Sequence, residues 1–510
     1  MTQRRDSSGA RVLQLALALV LVIATLGACT PGSPAPGSET SQRLVVGASL
    51  EPPTLDPTGS DAASIPQALL YNVYETLLKV DSDGKLQPLL AERWQVSKDR
   101  RTYTFTLHTA TFASGRAVTA ADVVWSVRRI QAGRNVAAAS QLAVVRSVTP
   151  QDPRTVVFTL ARPSNSWLFH LASTAGIVFD SGLDGDLSTT TGGSGPYALD
   201  RWTRGSDLAL KRNDRYWGFR QGSAAAFEGV TFRYFTDANA LNSAMLSGGL
   251  DVLSNLQVPQ ALTQFQDPAR YRVITGTTNG EVVMSLNNAA PALSDVRVRR
   301  AINHAVDRAA LKKTVWNDQG TLIGSMVPPT DPWYEDLAGT YPYDPAKARR
   351  LLAEAGYGRG LKLRMRLPVV PYATASGQFV ASQLKDVGIT VTTDELEFPR
   401  WLDTVFTKAD YDISIVAHVE PRDLARFADP KYYFRYDNPR FRRLVAQADQ
   451  GPPAQQVDRL RSAARLLAQD AAADWLFLLP NLVITTARVE GVPPNATTLS
   501  FDLTSVTKTG

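Results

Sequence analysis

LQPLLAERWQVSKDRRTYTFTLHTATFASGRAVTAADVVWSVRRI, residues Leu86 to Ile130, is the stretch on which the fold turns. Pro88 to Trp94 carries a Leu/Trp face and predicts a short helical turn, and Ser97-Lys98-Asp99-Arg100 is polar and turn-like. From Tyr103 to Leu107 the chain alternates, with Tyr103, Phe105 and Leu107 on one side and Thr104 and Thr106 on the other. That period of two is the mark of a half-buried strand. Ser114-Gly115 breaks the run. Thr119-Ala120-Ala121-Asp122 then has the form of a capping box, a hydroxyl accepting from an exposed N–H and an acid near the positive helix end. Val123, Val124, Trp125, Val127 and Ile130 supply the apolar side of the helix that follows.

On the N-terminal side, Arg43 to Ala48 reads as an apolar strand, followed by the proline-stiffened loop Ser49 to Pro57, and Ala68 to Val80 as an amphipathic helix. On the C-terminal side, Thr155 to Leu160 is strand-like, and Gly192-Gly193-Ser194-Gly195-Pro196 is a turn. It lacks the Gly-Lys-Ser/Thr ending of a phosphate loop. Ala240 to Leu253 predicts a helix and then a strand, Met284 to Leu286 a strand, and Ser294-Asp295 a cap on an apolar-striped helix. His304 in that helix reads as a surface or packed histidine. Asp344-Pro345 opens, and Gly356 closes, the best-punctuated helix in the chain. Strands at Leu361–Leu367, Ile389–Thr392 and Tyr411–Val416 then alternate with helices at Ser376–Val387 and Pro399–Thr407, which predicts an α/β unit with a largely parallel sheet. Ligands of such sheets sit at the carboxyl ends of strands. Helices follow at Pro439–Ala448 and Ala454–Asp470, then strands at Trp475–Pro480 and Leu482–Thr486.

PLLAERW, a Ser-x-Asp turn, YTFTL, a glycine turn and T-A-x-D-V-x-x-S stand in one register in the opening stretch. This order resembles the hallmark segment of the bacterial extracellular solute-binding proteins of family 5, the peptide- and nickel-type receptors that feed ABC transporters. It departs at His108-Thr109-Ala110, where the family usually has Arg-x-Gly. GSGPYALDRW with LALKRNDRYW, SDVRVRRAINHAVDRAALKKTVW and DPAKARRLLAEAGY resemble further family blocks, so the likeness covers nearly all of Leu44 to Thr486. It implies an α/β, two-lobed periplasmic-binding-protein fold of type II, with an extra subdomain on lobe one. The expected division is lobe one over 43–274 (insertion subdomain about 80–190), lobe two over 275–480, and a return to lobe one over 481–510.

The resemblance also implies a ligand site. Glu51 would face the cleft; a solvated loop acid is the alternative. After Val416 many peptide-binding members carry a tryptophan and then an aspartate that pairs with the ligand's α-amino group. Here His418 stands in the tryptophan's place, the acid is Glu420 or Asp423, and Arg422 adds the opposite sign; a salt-bridged surface loop is the alternative. Phe398 and Trp401 align near an aromatic of the family's pocket, with core packing as the other reading. Tyr432, Tyr433, Phe434 and Tyr436 line the cleft or pack a loop.

The chain has 510 residues, 44% of them hydrophobic and 20% charged, too long for one compact domain. Arg4, Arg5 and Arg11 precede an apolar run from Val12 to Leu26 that ends in Leu26-Gly27-Ala28-Cys29. This is read as a signal peptide over 1–28 with a lipobox, Cys29 being lipidated, followed by a Pro/Gly/Ser-rich tether over 29–42. Cys29 is the sole cysteine, which excludes disulfides and a thiolate nucleophile. Interleaved charge signs argue against a nucleic-acid stripe despite the net +6. No Gly-x-Ser-x-Gly, HExxH or P-loop pattern is present, and four histidines show no ligand spacing. We expect no enzyme, no cofactor and no metal centre. The expectation is a monomeric lipoprotein, exported and anchored to the outer face of the cell membrane, that captures a peptide or small solute and passes it to permease subunits. The alternatives are a regulator that retains the fold, or a nickel- or haem-type receptor.

Overall fold

The computed structural model describes residues 42–222 and 225–509. The expected signal peptide, Cys29 and nearly all of the tether lie outside them. No described helix is long and apolar enough to cross a membrane.

One ten-stranded mixed sheet runs through the molecule. From edge to edge its strands are Ile389–Leu396, Leu361–Pro368, Ile413–His418, Tyr271–Leu286, Ala473–Thr486, Val252–Leu253, Arg43–Ala48, Gly229–Tyr234, Asp207–Arg212 and Tyr197–Thr203. Tyr271–Leu286 and Ala473–Thr486 are its spine, antiparallel over almost their whole length. The expected strands 475–480 and 482–486 are thus a single strand. Midway along the spine the register slips: Thr277 faces Pro480 and Glu281 faces Leu478, so three residues on one strand oppose one on the other. The Thr278 hydroxyl fills the gap, donating to the Leu479 carbonyl at 2.7 Å and accepting from the Gly280 N–H at 2.8 Å. A bulge of this kind bends a strand and re-aims the side chains beyond it.

The apolar core divides at this level. One cluster gathers residues from Leu44 to Val252 with Val483 and the late residues Val489 to Val506. Two others, formed only from residues between Val282 and Leu478, lie on either side of the sheet's other half. A small fourth cluster joins Leu241, Tyr271 and Ile484.

The opening stretch supplies two strands of a separate four-stranded antiparallel sheet, Ala91–Val96 and Thr102–Leu107, completed by Thr155–Leu160 and Val145–Asp152. The capping box forms: Asp122 accepts from the Thr119 N–H at 2.9 Å and starts the helix Ala120–Ala132. The helical turn expected at Pro88–Trp94 does not. Pro88 ends one short strand, Leu89-Leu90 bend, and Ala91–Trp94 are strand, because pairing with Tyr103–Leu107 places Trp94 against Phe105 with ring centroids 6.4 Å apart, and cross-strand packing overrides a short run's helix preference. The helix expected over Ala68–Val80 is likewise cut to Ser64–Leu69. Tyr71 takes φ 65°, its N–H turns back to the Tyr74 carbonyl, and its hydroxyl reaches Ala172. Nearly every residue from Leu69 to Leu78 is buried, so apolar spacing there marks enclosure rather than one helix face.

In the other half, Asp344 caps Pro345–Glu354 through the Lys347 N–H at 2.8 Å, and Gly356 takes φ 89°, as the sequence requires. The helix expected over Pro399–Thr407 begins at Phe398 and widens into a π-turn over Leu402–Thr407. The sheet here is mixed instead of largely parallel. Leu361–Pro368 runs parallel to both neighbours, but Ile413–His418 meets the spine antiparallel, since the spine strands enter from the other half.

Candidate functional site

Ile413–His418 ends at His418, and directly across the ladder stands Glu281, the first paired residue after the spine bulge. Facing residues of an antiparallel pair project to the same side, so the bulge delivers an acid beside the imidazole. Beyond His418 the chain turns through Arg422, held at φ 60°, into the 3₁₀ helix Asp423–Ala428. A non-glycine residue in the left-handed region costs energy and is kept where surroundings enforce it. The turn folds Asp423 back under His418, with Oδ2 3.7 Å from Nδ1.

His418 is buried. Its Nε2 lies 2.8 Å from the Tyr433 hydroxyl, which lies 2.8 Å from Ser285 Oγ, and the imidazole stacks on Tyr433 with centroids 5.9 Å apart. The Tyr432 hydroxyl stands 3.4 Å from Nδ1. Burial brings the imidazole down to about 4, against the opposing pull of Glu420, so it is neutral near pH 7. The carboxyls around it are raised. Asp423 lies well above the ordinary range, through burial first and then the charge of Glu420. Glu281 lies well above it through burial and then Asp423. Glu281 Oε2 and Asp423 Oδ2 accept no hydrogen bond among the described residues. Two guanidiniums partly offset these acids: Arg426 is 4.0 Å from Glu420, and Arg422 is 3.8 Å from Asp331, whose carboxyl burial pushes up to about 7. Arg422 also lies over the Phe169 ring at 3.6 Å and the Trp333 ring at 5.0 Å. Phe169 belongs to the first core and Trp333 to the second half, so one side chain touches both.

A second junction between the halves lies at the end of the helix Pro439–Gln450. Asp449 accepts from the Ser164 and Ser166 hydroxyls at 2.7 and 2.8 Å, from the Ser166 N–H at 3.2 Å and from Arg162 at 2.7 Å. The Asn165 amide donates to the carbonyls of Ala448 and Gly451, and Arg100 to those of Gln450 and Gly451. These last carbonyls of a helix lack intrahelical partners and carry its negative end, so donors and a cation suit them.

The structure thus brings His418, Glu420 and Asp423 together, their ligand-type atoms no farther than 4.8 Å apart, with Arg422 beside them. Trp401 is buried, donates to Ser414 Oγ at 2.9 Å, and reaches the group only through an edge contact with Tyr433. Phe398 stacks outside Trp401 and is exposed. Glu51 accepts hydrogen bonds from Trp202 Nε1 and the Gly205 N–H, within the first half. Tyr433, Phe434 and Tyr436 are buried and form a packed bed under His418. Glu281, Asp331 and Arg426 were not foreseen. The signal for Glu281 was present: a lone acid opening the apolar run Val282-Val283-Met284.

In comparison with known families, residues 85–436 match the model for bacterial extracellular solute-binding proteins, family 5 Middle. Protein XP55 of Streptomyces lividans is 31% identical over 333 residues, which is 64% of this chain and 59% of that protein. The glutathione-binding protein GsiB of Salmonella choleraesuis (strain SC-B67) is 28% identical over 344 residues, 66% of each. The chain therefore spans just under two thirds of the length of these relatives. Among solved structures, the dipeptide-binding protein from Pseudoalteromonas sp. SM9913 in complex with Met-Leu superposes with a TM-score of 0.79 at 20% identity, covering 92% of this chain and 100% of that one. At that identity the likeness establishes the fold, the mixed α/β architecture of type II periplasmic binding proteins.

Proposed function

We propose a function from one premise: the chain belongs to the bacterial extracellular solute-binding proteins, family 5. It is a receptor rather than an enzyme, capturing a short peptide or similar small solute between two hinged lobes and handing it to ABC permease subunits. The lobes are 43–274 with 481–510, and 275–480, and the divided core supports this partition. The spine strands carry the bend between them. The observation that carries the reading is the group of buried acids at the carboxyl end of Ile413–His418, beside an Arg422 that stacks on Phe169 from the other lobe. Carboxyls buried there without a cation of their own hold protons that a cationic group on the solute, such as a peptide's terminal ammonium, can replace, and a solute touching both lobes stabilises closure. Relatives whose names specify glutathione or a dipeptide support a peptide-like solute.

Calorimetry of the protein lacking its first 29 residues, titrated with di- and tripeptides, tests this. Asp423→Ala and Glu420→Ala should each weaken binding, Asp423→Ala by about 100-fold, as expected for loss of one partner of a buried ion pair. Unchanged affinity in both variants would remove the loop from the site. The proposed lipid anchor on Cys29 has its own test. Cys29→Ser should shift the protein from the membrane fraction to the soluble fraction, since a single thioether-linked diacylglycerol already brings two chains; retention on the membrane counts against it.

A further inference from the structure

We propose that His418, Glu420 and Asp423 bind a divalent first-row transition-metal ion directly, so that this loop is a metal site built from the protein's own side chains. The inference takes the place of the site from the preceding reading but not the nature of the solute. Three observations carry it. The first is the donor set. One imidazole nitrogen and two carboxylates, brought within 4.8 Å of one another, match ions of the zinc, cobalt and nickel type rather than calcium or magnesium, which prefer oxygen alone. The second is spacing. Asp423 Oδ2 stands 3.7 Å from His418 Nδ1, too far for a hydrogen bond. Two bonds of about 2.0–2.2 Å to a shared ion span that gap at an open angle. Glu420, half exposed, has the freedom to swing in as third ligand.

The third is the orientation of what surrounds the trio. Asp423 is only 5% exposed, yet its Oδ2 has no hydrogen-bond donor and faces the imidazole. Glu281, 1% exposed, presents a second buried oxygen without a donor from across the ladder. On the far side of the imidazole, Nε2 is fixed by the Tyr433 hydroxyl and through it by Ser285. A ring nitrogen held this way turns Nδ1 toward Asp423, with only the long 3.4 Å approach of the Tyr432 hydroxyl for an ion to displace, the arrangement that orients metal-bound histidines. Asp331 and Glu420 face Arg422 and Arg426, while Glu281 and Asp423 have no Arg or Lys ion-pair partner among the described residues, so a bound cation would stand in for the protons their burial favours. The remaining coordination positions would point to the cleft, where an amine or carboxylate of a solute could complete them.

The test is titration of chelator-stripped protein with Co²⁺, followed by visible absorption, and with Zn²⁺ by calorimetry. One ion per chain is expected, with affinity falling at least about 100-fold in His418→Ala and Asp423→Asn, and about 10-fold in the positioning variant Tyr433→Phe. Glu420→Gln, at the rim, should also weaken binding without harming folding, which thermal melting checks. Absence of binding, or binding that none of these variants alters, overturns the proposal. Peptide titrations run in parallel with EDTA separate the two readings. Peptide affinity that is unchanged in EDTA, with no ion bound, leaves the receptor and removes the metal; ion binding without any peptide affinity does the reverse.

Discussion

Asp449→Ala should loosen the closed arrangement of the two halves, raising the radius of gyration in solution scattering and weakening solute affinity by about 10- to 30-fold. Asp449 is the hub of a junction distant in sequence from the 418–423 loop. One carboxylate oxygen accepts from Ser164, the Ser166 N–H and the Ser166 hydroxyl, and the other from Arg162. Hydrogen bonds to a charged group contribute about 1.5–3 kcal/mol each when sheltered, but Arg162 is half exposed and its share is screened by solvent. A net loss of about 2 kcal/mol in the open–closed equilibrium is the reasonable expectation, and about 1.4 kcal/mol is tenfold. The loss falls on affinity because a solute must then supply the closure energy itself. Ser164→Ala should give a smaller effect of the same sign, as it removes one of four donors. A scattering curve and an affinity both equal to wild type would mean that the junction does not govern closure.

The second large effect concerns pH. Glu75 is fully buried and accepts from Trp217 Nε1 at 2.8 Å, Ser194 Oγ at 2.7 Å and the Tyr216 hydroxyl at 3.1 Å. Burial raises its carboxyl from 4.5 to about 7, the three donors only partly opposing. A carboxyl raised in the folded state binds its proton more tightly there than in the unfolded chain. Its contribution to stability is therefore full below about pH 4.5 and is lost as pH climbs through about 7. One pKa unit corresponds to about 1.4 kcal/mol, so the loss is about 3 kcal/mol. Glu75→Gln is the fitting probe. A protonated carboxyl and an amide each offer a carbonyl oxygen to accept from Trp217 and at least one donor, an O–H or an N–H of the NH2, toward a hydroxyl that can reverse. Urea denaturation at pH 5 and pH 8 should show the wild type losing about 2.5 kcal/mol more than the variant over that interval. Asp331, Asp474, Glu281 and Asp423 titrate in both proteins and cancel in the difference. A difference that does not change with pH would sink the assignment.

Elements with explicit punctuation were legible from sequence. Asp344-Pro345, Thr119 with Asp122, and Asp295 each set a helix start through a local hydrogen bond, and the structure makes all three. Trp94 and Tyr71 misled because their conformations are decided by distant partners, Phe105 and Ala172, which no local window contains. The site divides the same way. His418, Glu420, Arg422 and Asp423 lie on one loop at a strand end, where a family resemblance and a rule about sheets both point. Glu281 comes from 137 positions earlier in the chain and reaches His418 only because the bulge at Thr278 sets the ladder register.

The first half of the molecule is sealed by residues made long after the rest of it. Leu503 and Val506 sit in its core, Asn72 bonds Phe501 and Leu503, and Ala473–Thr486 fills the gap in the sheet beside Val252. During synthesis residues 43–253 consequently wait, with a bare sheet edge and an unfinished interior, until Ala473–Thr486 and Leu503 arrive. Such a chain remains threadable for as long as it is growing, and a product that lacks residues 481–506 is left as prey for proteases.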